Sequence, residues 1–461
     1  MSLNLASILI YIALQLVIAW FVSRRVAAED DYLVAGRSLG YALCSFSIFA
    51  TWFGAETCIA APAAAYSEGF SGNTGDPFGY ALCLLVMGFF FARALWERKL
   101  TTFGDLFRDR YGVAAERVFA VLVIPTSLLW AAAQIRGFGQ VLSAHSELDV
   151  VVTVTFAVVI VIAYTAVGGL KADAVTDLIQ GLTLTLGVVA LFYAVFFGPG
   201  AFDIRSIPAE RLSLAATEQP LLGTFEAWAV PVLGSLFAAE IVARVAAARS
   251  AAVAKRSALA GGFAFLAVGA LAAAVGLAGA VELPGLDEPE QIVIAMAERR
   301  LGPIWSLVFS GALAAAILST VDSCLLTAGS LLAHNLIIPL RPGLTERTKL
   351  RLNRAAVVLF GVVAYGLALG ADAVYRLVEE ASAFGSAGVF VVTPLALFTR
   401  FGGSASAVAS LLAGTAVYAW GSYLAEWPYP YLASVAAALG AYVLPAWLGQ
   451  RSRGDLADRP R

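Results

Sequence analysis

Apolar residues along this chain gather in runs of about 20, and short stretches rich in Arg, Lys, Asp, Glu, Gly and Pro separate the runs. A helix needs about 20 apolar residues to cross roughly 30 Å of hydrocarbon, so each run predicts a membrane-spanning helix. That ruler predicts thirteen spans, at 4–23, 40–63, 77–98, 115–142, 148–167, 173–198, 224–247, 256–281, 302–338, 352–371, 374–399, 404–424 and 428–449. The basic residues test the register. Alternating the loops between two sides puts 24 of the 30 Lys and Arg on one side. Insertion follows that bias, so the basic side is cytoplasmic, the N-terminus lies outside and the C-terminus inside. The opposite loops agree. Segment 64–76 has no Lys or Arg, and 282–298 carries Glu282, Asp287, Glu288, Glu290 and Glu298. The Pro-punctuated loop 199–223 predicts a short surface element. No segment outside the spans is long enough to fold alone.

Composition closes off other classes. The 461 residues are 60% hydrophobic and 13% charged. A soluble protein carries about 25% charge, which excludes a large soluble enzyme. A net charge of −2 gives no reason to expect a nucleic-acid partner. The four cysteines lie in apolar stretches with no CxxC spacing and read as small core residues. With only His145 and His334, a zinc site or a His-dependent triad is not expected. The first apolar run lacks a basic leader and is long enough to span, so no cleavable signal is expected.

Polar groups inside lipid are costly, and each is a functional candidate. The second span holds Thr51, Gly54, Glu56 and Thr57 at its centre, followed by Pro62. Gly and Pro beside polar residues predict a broken helix with freed carbonyls, or a kinked helix with Glu56 facing a wet crevice. The segment 164–181, YTAVGGLKADAVTDLIQG, turns at Gly168 and Gly169. Asp173, Asp177 and Gln180 then share a helical face, with Asp173 near the water interface and Asp177 a turn deeper, as a cation ligand or gate. In the ninth span, Ala316, Ser319, Asp322 and Ser323 share a face bordered by Thr320. These residues form either a hard-oxygen cation site or a small-residue packing seam. In the seventh span, Glu240 and Arg244 stand at i, i+4, either paired with each other or with Glu240 turned to a solute.

These segments resemble known sequences. The stretch 164–180 looks like the YT-x-x-GGL…TD-x-x-Q signature of the sodium:solute symporter family. LSTVDSCLL at 318–326 resembles that family's S-[ST]-x-x-S segment, and ATWFGAE at 50–56 falls where its unwound first core helix lies. The resemblance implies an all-α integral membrane protein with a LeuT-like core of two inverted five-helix repeats, 40–198 and 224–399. An extra helix at 4–23, two more at 404–449 and a tail at 450–461 would complete one transporter domain. It implies a sodium site made of the Ala50, Phe53 and Ala316 carbonyls with the Ser319 and Thr320 hydroxyls. A second sodium or coupling site would use Asp177, Asp322, Ser319 and Ser323.

Within the family, Thr51 to Gly54 and Trp130 in LWAAAQ resemble the choline-transporter branch. Trp52 and Trp130 would wall a quaternary ammonium, worth about 0.5–2 kcal/mol per ring. Ala238 and Ala239 stand where that branch would place an aromatic. Glu56, Thr57 and Glu240 complete the substrate group. The expected function is sodium-coupled import of a small cationic or choline-like solute by alternating access, by a monomer in the plasma membrane. The alternative solute is proline or another zwitterion or carboxylate. An intramembrane enzyme is not expected, since no His accompanies Asp173 and Asp177. A channel would need a repeated filter-like loop, which is absent from the sequence.

Overall fold

A computed structural model describes residues 3–24, 26–144, 148–214, 220–370 and 374–457. Arg25, His145, Arg459, Arg461 and residues 215–219 of the long loop lie outside these. Among the described residues every regular element is helical, and the extended contact is an isolated bridge between Leu39 and Ala248.

Among the described residues, eight helices are each long and apolar enough to cross a bilayer, or ten if each of two bent pairs counts as one span. Thirteen spans were expected. The three expected runs outside this count, 4–23, 40–63 and 148–167, hold the shorter apolar helices Ala13–Ser23, Tyr41–Trp52 and Val150–Ala163, the second ending where its helix breaks. The 47-residue helix Val150–Phe196 contains the expected turn, with Gly169 at φ 68° and ψ 169°, outside helical geometry. Glycine tolerates that conformation without the Cβ clash other residues would meet.

Among the described residues three helices are broken in mid-course, and the sequence pattern pointed to one. The first stops at Trp52 and resumes through Glu56–Ala60 and Ala61–Glu68, with Pro62 in the first turn of the last segment. The run at 224–247, expected to be continuous, is instead Leu221–Gly234 and Ala239–Ala247, bent by 41°. A third break divides Arg376–Ala383 from Ser386–Phe398 at 42°.

The long helix Pro303–Ser330 runs between Val113–Ala144 and Val150–Phe196. The first broken helix packs on Val150–Phe196 and on Ala251–Glu282. Ala254, Ala258, Gly261, Ala272 and Gly276 are buried along Ala251–Glu282, small residues that let helix backbones approach closely. The terminal pair Ser404–Ala419 and Pro430–Ala457 packs against itself at the side. Large apolar side chains such as Phe90, Leu186, Ile304 and Leu444 point outward, the pattern of a multi-pass membrane protein whose solvent is acyl chain.

Candidate functional site

The first break is built around one carboxylate. Phe53 leaves helical geometry at φ −89° and ψ 65°, which frees the backbone after it. Ala55 N–H donates to Gln134 Oε1 at 2.6 Å. Gln134 Nε2 in turn donates to Glu56 Oε2 at 2.5 Å, and Trp130 Nε1 donates to Glu56 Oε1 at 3.0 Å. Trp130 and Gln134 lie four residues apart, on one face of Val113–Ala144. A side chain at position 54 would collide with both Gln134 and Glu56, so the glycine makes their close approach possible. Glu56 is only 2% exposed, yet both its oxygens accept hydrogen bonds, which keeps a buried carboxylate tolerable. Trp52 packs edge-to-face on Trp130, with ring centroids 4.9 Å apart. Trp130 also lines a small cavity, whereas Trp52, at 1% exposure, is not part of that lining.

Thr57 turns the other way. Its hydroxyl donates to Asp76 Oδ2 at 2.7 Å, and Asp76 Oδ1 has no hydrogen-bond partner. Segment 64–76 was expected as an outer loop, but the structure folds its end inward, with Asn73 and Asp76 buried. The reason is local. Asn73 Nδ2 donates to the carbonyls of Ala61 and Asp76, tying the loop to the resumed helix. Asp76 and Gln134 were both missed in the sequence. An Asp in a polar loop carries no signal, but a Gln one turn after Trp130 in an apolar run could have been noticed.

On the long helix, the Ser319 and Thr320 hydroxyls face the Ala50 carbonyl at 3.5 and 3.3 Å. Ser319 Oγ also lies 3.0 Å from the Ala316 carbonyl. The fold therefore brings Ala50, Ala316, Ser319 and Thr320 together, with Phe53 capping the broken helix one turn on.

The other acidic candidates are arranged differently from expectation. Asp173 is not at a water interface. It is buried and pairs with Arg244, and both groups hydrogen-bond Ser323. The expected Glu240–Arg244 side-chain pair does not form. The guanidinium crosses to the carboxylate of the neighbouring helix, and its second arm donates to the Glu240 carbonyl at 3.3 Å. The Glu240 carboxylate accepts from Ser127 Oγ at 2.6 Å instead. Asp177 accepts from Ser47 Oγ at 2.6 Å, which links it to the first broken helix. Asp322 is buried beside Ser323.

A cavity of about 380 Å³ opens over the first break. Buried Glu56, Asp76 and Tyr80 line it together with Glu226, Glu379 and Glu380 nearer solvent, and the single basic side chain among its lining residues is Arg376. Below it, a cavity of about 40 Å³ is lined by Trp130, Ser127 and Glu240 and by residues flanking the second and third breaks, Gly234, Ser235, Ser382 and Gly385. Tyr80 Oη and Ser382 Oγ, 2.8 Å apart, connect the two linings. Packing contacts join the helix ends on the other side of the breaks. Leu39 N–H donates to Ala247 O and Arg249 N–H to Leu39 O, Trp96 Nε1 donates to Ala248 O at 2.6 Å, and Phe103 packs on Phe107 and Phe119.

The pattern of the "Sodium:solute symporter family" matches residues 32–414. The human High affinity choline transporter 1 is 26% identical over 93% of this chain and 77% of its own length. The High-affinity proline transporter PutP of Bacillus subtilis (strain 168) is 27% identical over 92% of this chain and 93% of its own. The chain spans between 63% and 77% of the lengths of the choline transporters it matches. The solved structure of a sodium-coupled sialic acid symporter, in a substrate-bound outward-open state, superposes with a TM-score of 0.83 at 18% identity. It covers 96% of this chain and 98% of its own, a likeness of fold. With its break-centred site and a family match over most of its length, the chain belongs to the sodium:solute symporter family: it is a sodium-coupled transporter of small solutes and not an enzyme.

Proposed function

We propose that this transporter imports a small cationic solute, an amine or a choline-like quaternary ammonium. The observation that carries the reading is the acidity of the cavity over the first break. Its lining has five carboxylates against one arginine, with Glu56 buried at the bottom. A cation leaving water needs a nearby counter-charge, and Glu56 and Asp76 supply it. The rings of Tyr80, Tyr418 and Tyr423 on the same lining add cation–π attraction. Glu240 and Trp130 offer a second, deeper stop in the smaller cavity. A zwitterion's carboxylate would meet only Arg376, which already stands 3.6 Å from Glu380.

In this reading sodium sits between the Ala50, Phe53 and Ala316 carbonyls and the Ser319 and Thr320 hydroxyls. The spacing supports it. Hydroxyl hydrogen bonds centre on about 2.7–2.8 Å, and the contacts to the Ala50 carbonyl are longer, 3.5 and 3.3 Å. Oxygens held about 2.4 Å from a hard cation at right angles lie roughly 3.4 Å apart. The charge of the ion then ties the broken helix to the long one. Of the expected second site, Ser323 is already engaged by the Arg244 guanidinium, which pairs with neighbouring Asp173, so we assign one sodium per cycle. Asp177 and Asp322 serve coupling through the broken helix rather than as ligands of a second ion.

The remaining organisation follows the same reading. Residues 40–198 and 224–399 form two inverted repeats, each opening with a broken helix, beside an extra N-terminal helix and two C-terminal ones. The basic end is cytoplasmic, the acidic cavity faces outside, and the chain works as a monomer in the plasma membrane. Sodium and solute bias the same conformational equilibrium, so each tightens the other. Proteoliposomes under an inward sodium gradient test this with labelled choline and proline. Sodium-driven uptake of choline over proline is expected, and uptake indifferent to the sodium gradient would overturn the reading.

A further inference from the structure

We infer that the solute carries two separated positive charges, as a linear diamine does. This rests on the cationic-solute reading above and sharpens its substrate class. The carboxylates of the large cavity stand at two depths: Glu56 and Asp76 are at most 2% exposed, while Glu379 is open to solvent. At the buried level, both oxygens of Glu56 are occupied by Trp130 and Gln134. Asp76 is different: Thr57 holds one oxygen, and the other has no partner although the side chain is 1% exposed and lines the cavity. A buried carboxylate oxygen left without a donor costs free energy, and an incoming ammonium supplies the missing donor.

At the open level, Glu226 is engaged by the amides of Tyr431 and Leu432 at 2.6 and 2.9 Å, and Glu380 stands 3.6 Å from Arg376. Glu379 is the carboxylate placed to meet a second ammonium. The same lining includes Val230, Pro231, Val378 and Ala383, an apolar surface that suits a methylene spacer. A single-charge solute would use the buried level alone and gain nothing from the open one.

The test is a thermal-shift titration of the purified full chain in sodium buffer at fixed ionic strength. The ligands are butylamine, choline and a series of linear diaminoalkanes. A ligand that binds the folded state raises its stability with concentration. The best diaminoalkane is expected to half-saturate about tenfold below butylamine, a difference of roughly 1.4 kcal/mol. Glu379→Gln, an exposed change, is expected to weaken the diamine much more than the monoamine. Asp76→Asn is expected to weaken both. Equal affinities for mono- and diamines, or a Glu379→Gln variant with an unchanged ratio, would overturn the two-charge inference. In that case sodium-driven choline uptake would still stand, whereas binding of none of these cations would remove both readings.

Discussion

The guanidinium of Arg244 donates to the carboxylate of Asp173, and neither side chain exposes more than 1% of its surface. One residue lies after the second helix break and the other just past the Gly169 turn. Their pair fastens the second half of the fold to the first. Removing one partner leaves a buried charge without compensation, which costs about 3–5 kcal/mol. Arg244→Met is therefore expected to lower the thermal unfolding midpoint in detergent sharply. Adding Asp173→Leu should recover most of that loss, because two apolar side chains need no counter-charge. A double variant as unstable as the single one would show that the pair is not what holds these helices.

Ser319 and Thr320 reach the Ala50 carbonyl through hydroxyls alone. Ser319→Ala with Thr320→Ala is expected to abolish sodium-stimulated uptake while leaving the unfolding midpoint within a few degrees of the parent. Unaltered sodium dependence of uptake in this double variant would remove the ion from this place.

Gln134 joins the freed Ala55 amide to the Glu56 carboxylate. Gln134→Leu leaves both without that partner, at a cost of about 1–3 kcal/mol for an unsatisfied buried group. Loss of stability and loss of solute affinity are expected together, read by melting curves and by uptake at low solute concentration. A variant that keeps parental stability and affinity would show that the break does not depend on this bridge.

Glu56→Gln removes the negative charge at nearly constant shape. Choline binding is expected to weaken by at least about tenfold, and proline binding far less, in parallel titrations with sodium present. Equal losses for both solutes would make Glu56 a structural acceptor for Trp130 and Gln134 and nothing more.

Much of this architecture was legible because lipid imposes a simple rule on the chain: long apolar runs are helices, and a polar residue within one has a purpose. Glu56 beside Gly54 announced the first break in that way, and Ser319 and Thr320 announced the hydroxyl face. What stayed hidden depends on partners far apart in the chain. Arg244 seemed matched to Glu240 one turn away, but the pairing it adopts is with Asp173, 71 residues distant. Asp76 looked like an ordinary loop residue because only the inward fold of its segment buries it. The second break carries a weak local signal. Gly234 and Ser235 interrupt the run, but neither is charged, so a hydropathy ruler passes over them.

Glu226, just before the second break, caps the first turn of Pro430–Ala457 through the amides of Tyr431 and Leu432. That anchorage moors one arm of the bent helix to the flank of the molecule. The other arm, Ala239–Ala247, hangs from a different post by way of Arg244. Between them, residues 235–238 form the short link of the 41° bend. Relative movement of those two posts would fall on this four-residue link rather than along either arm.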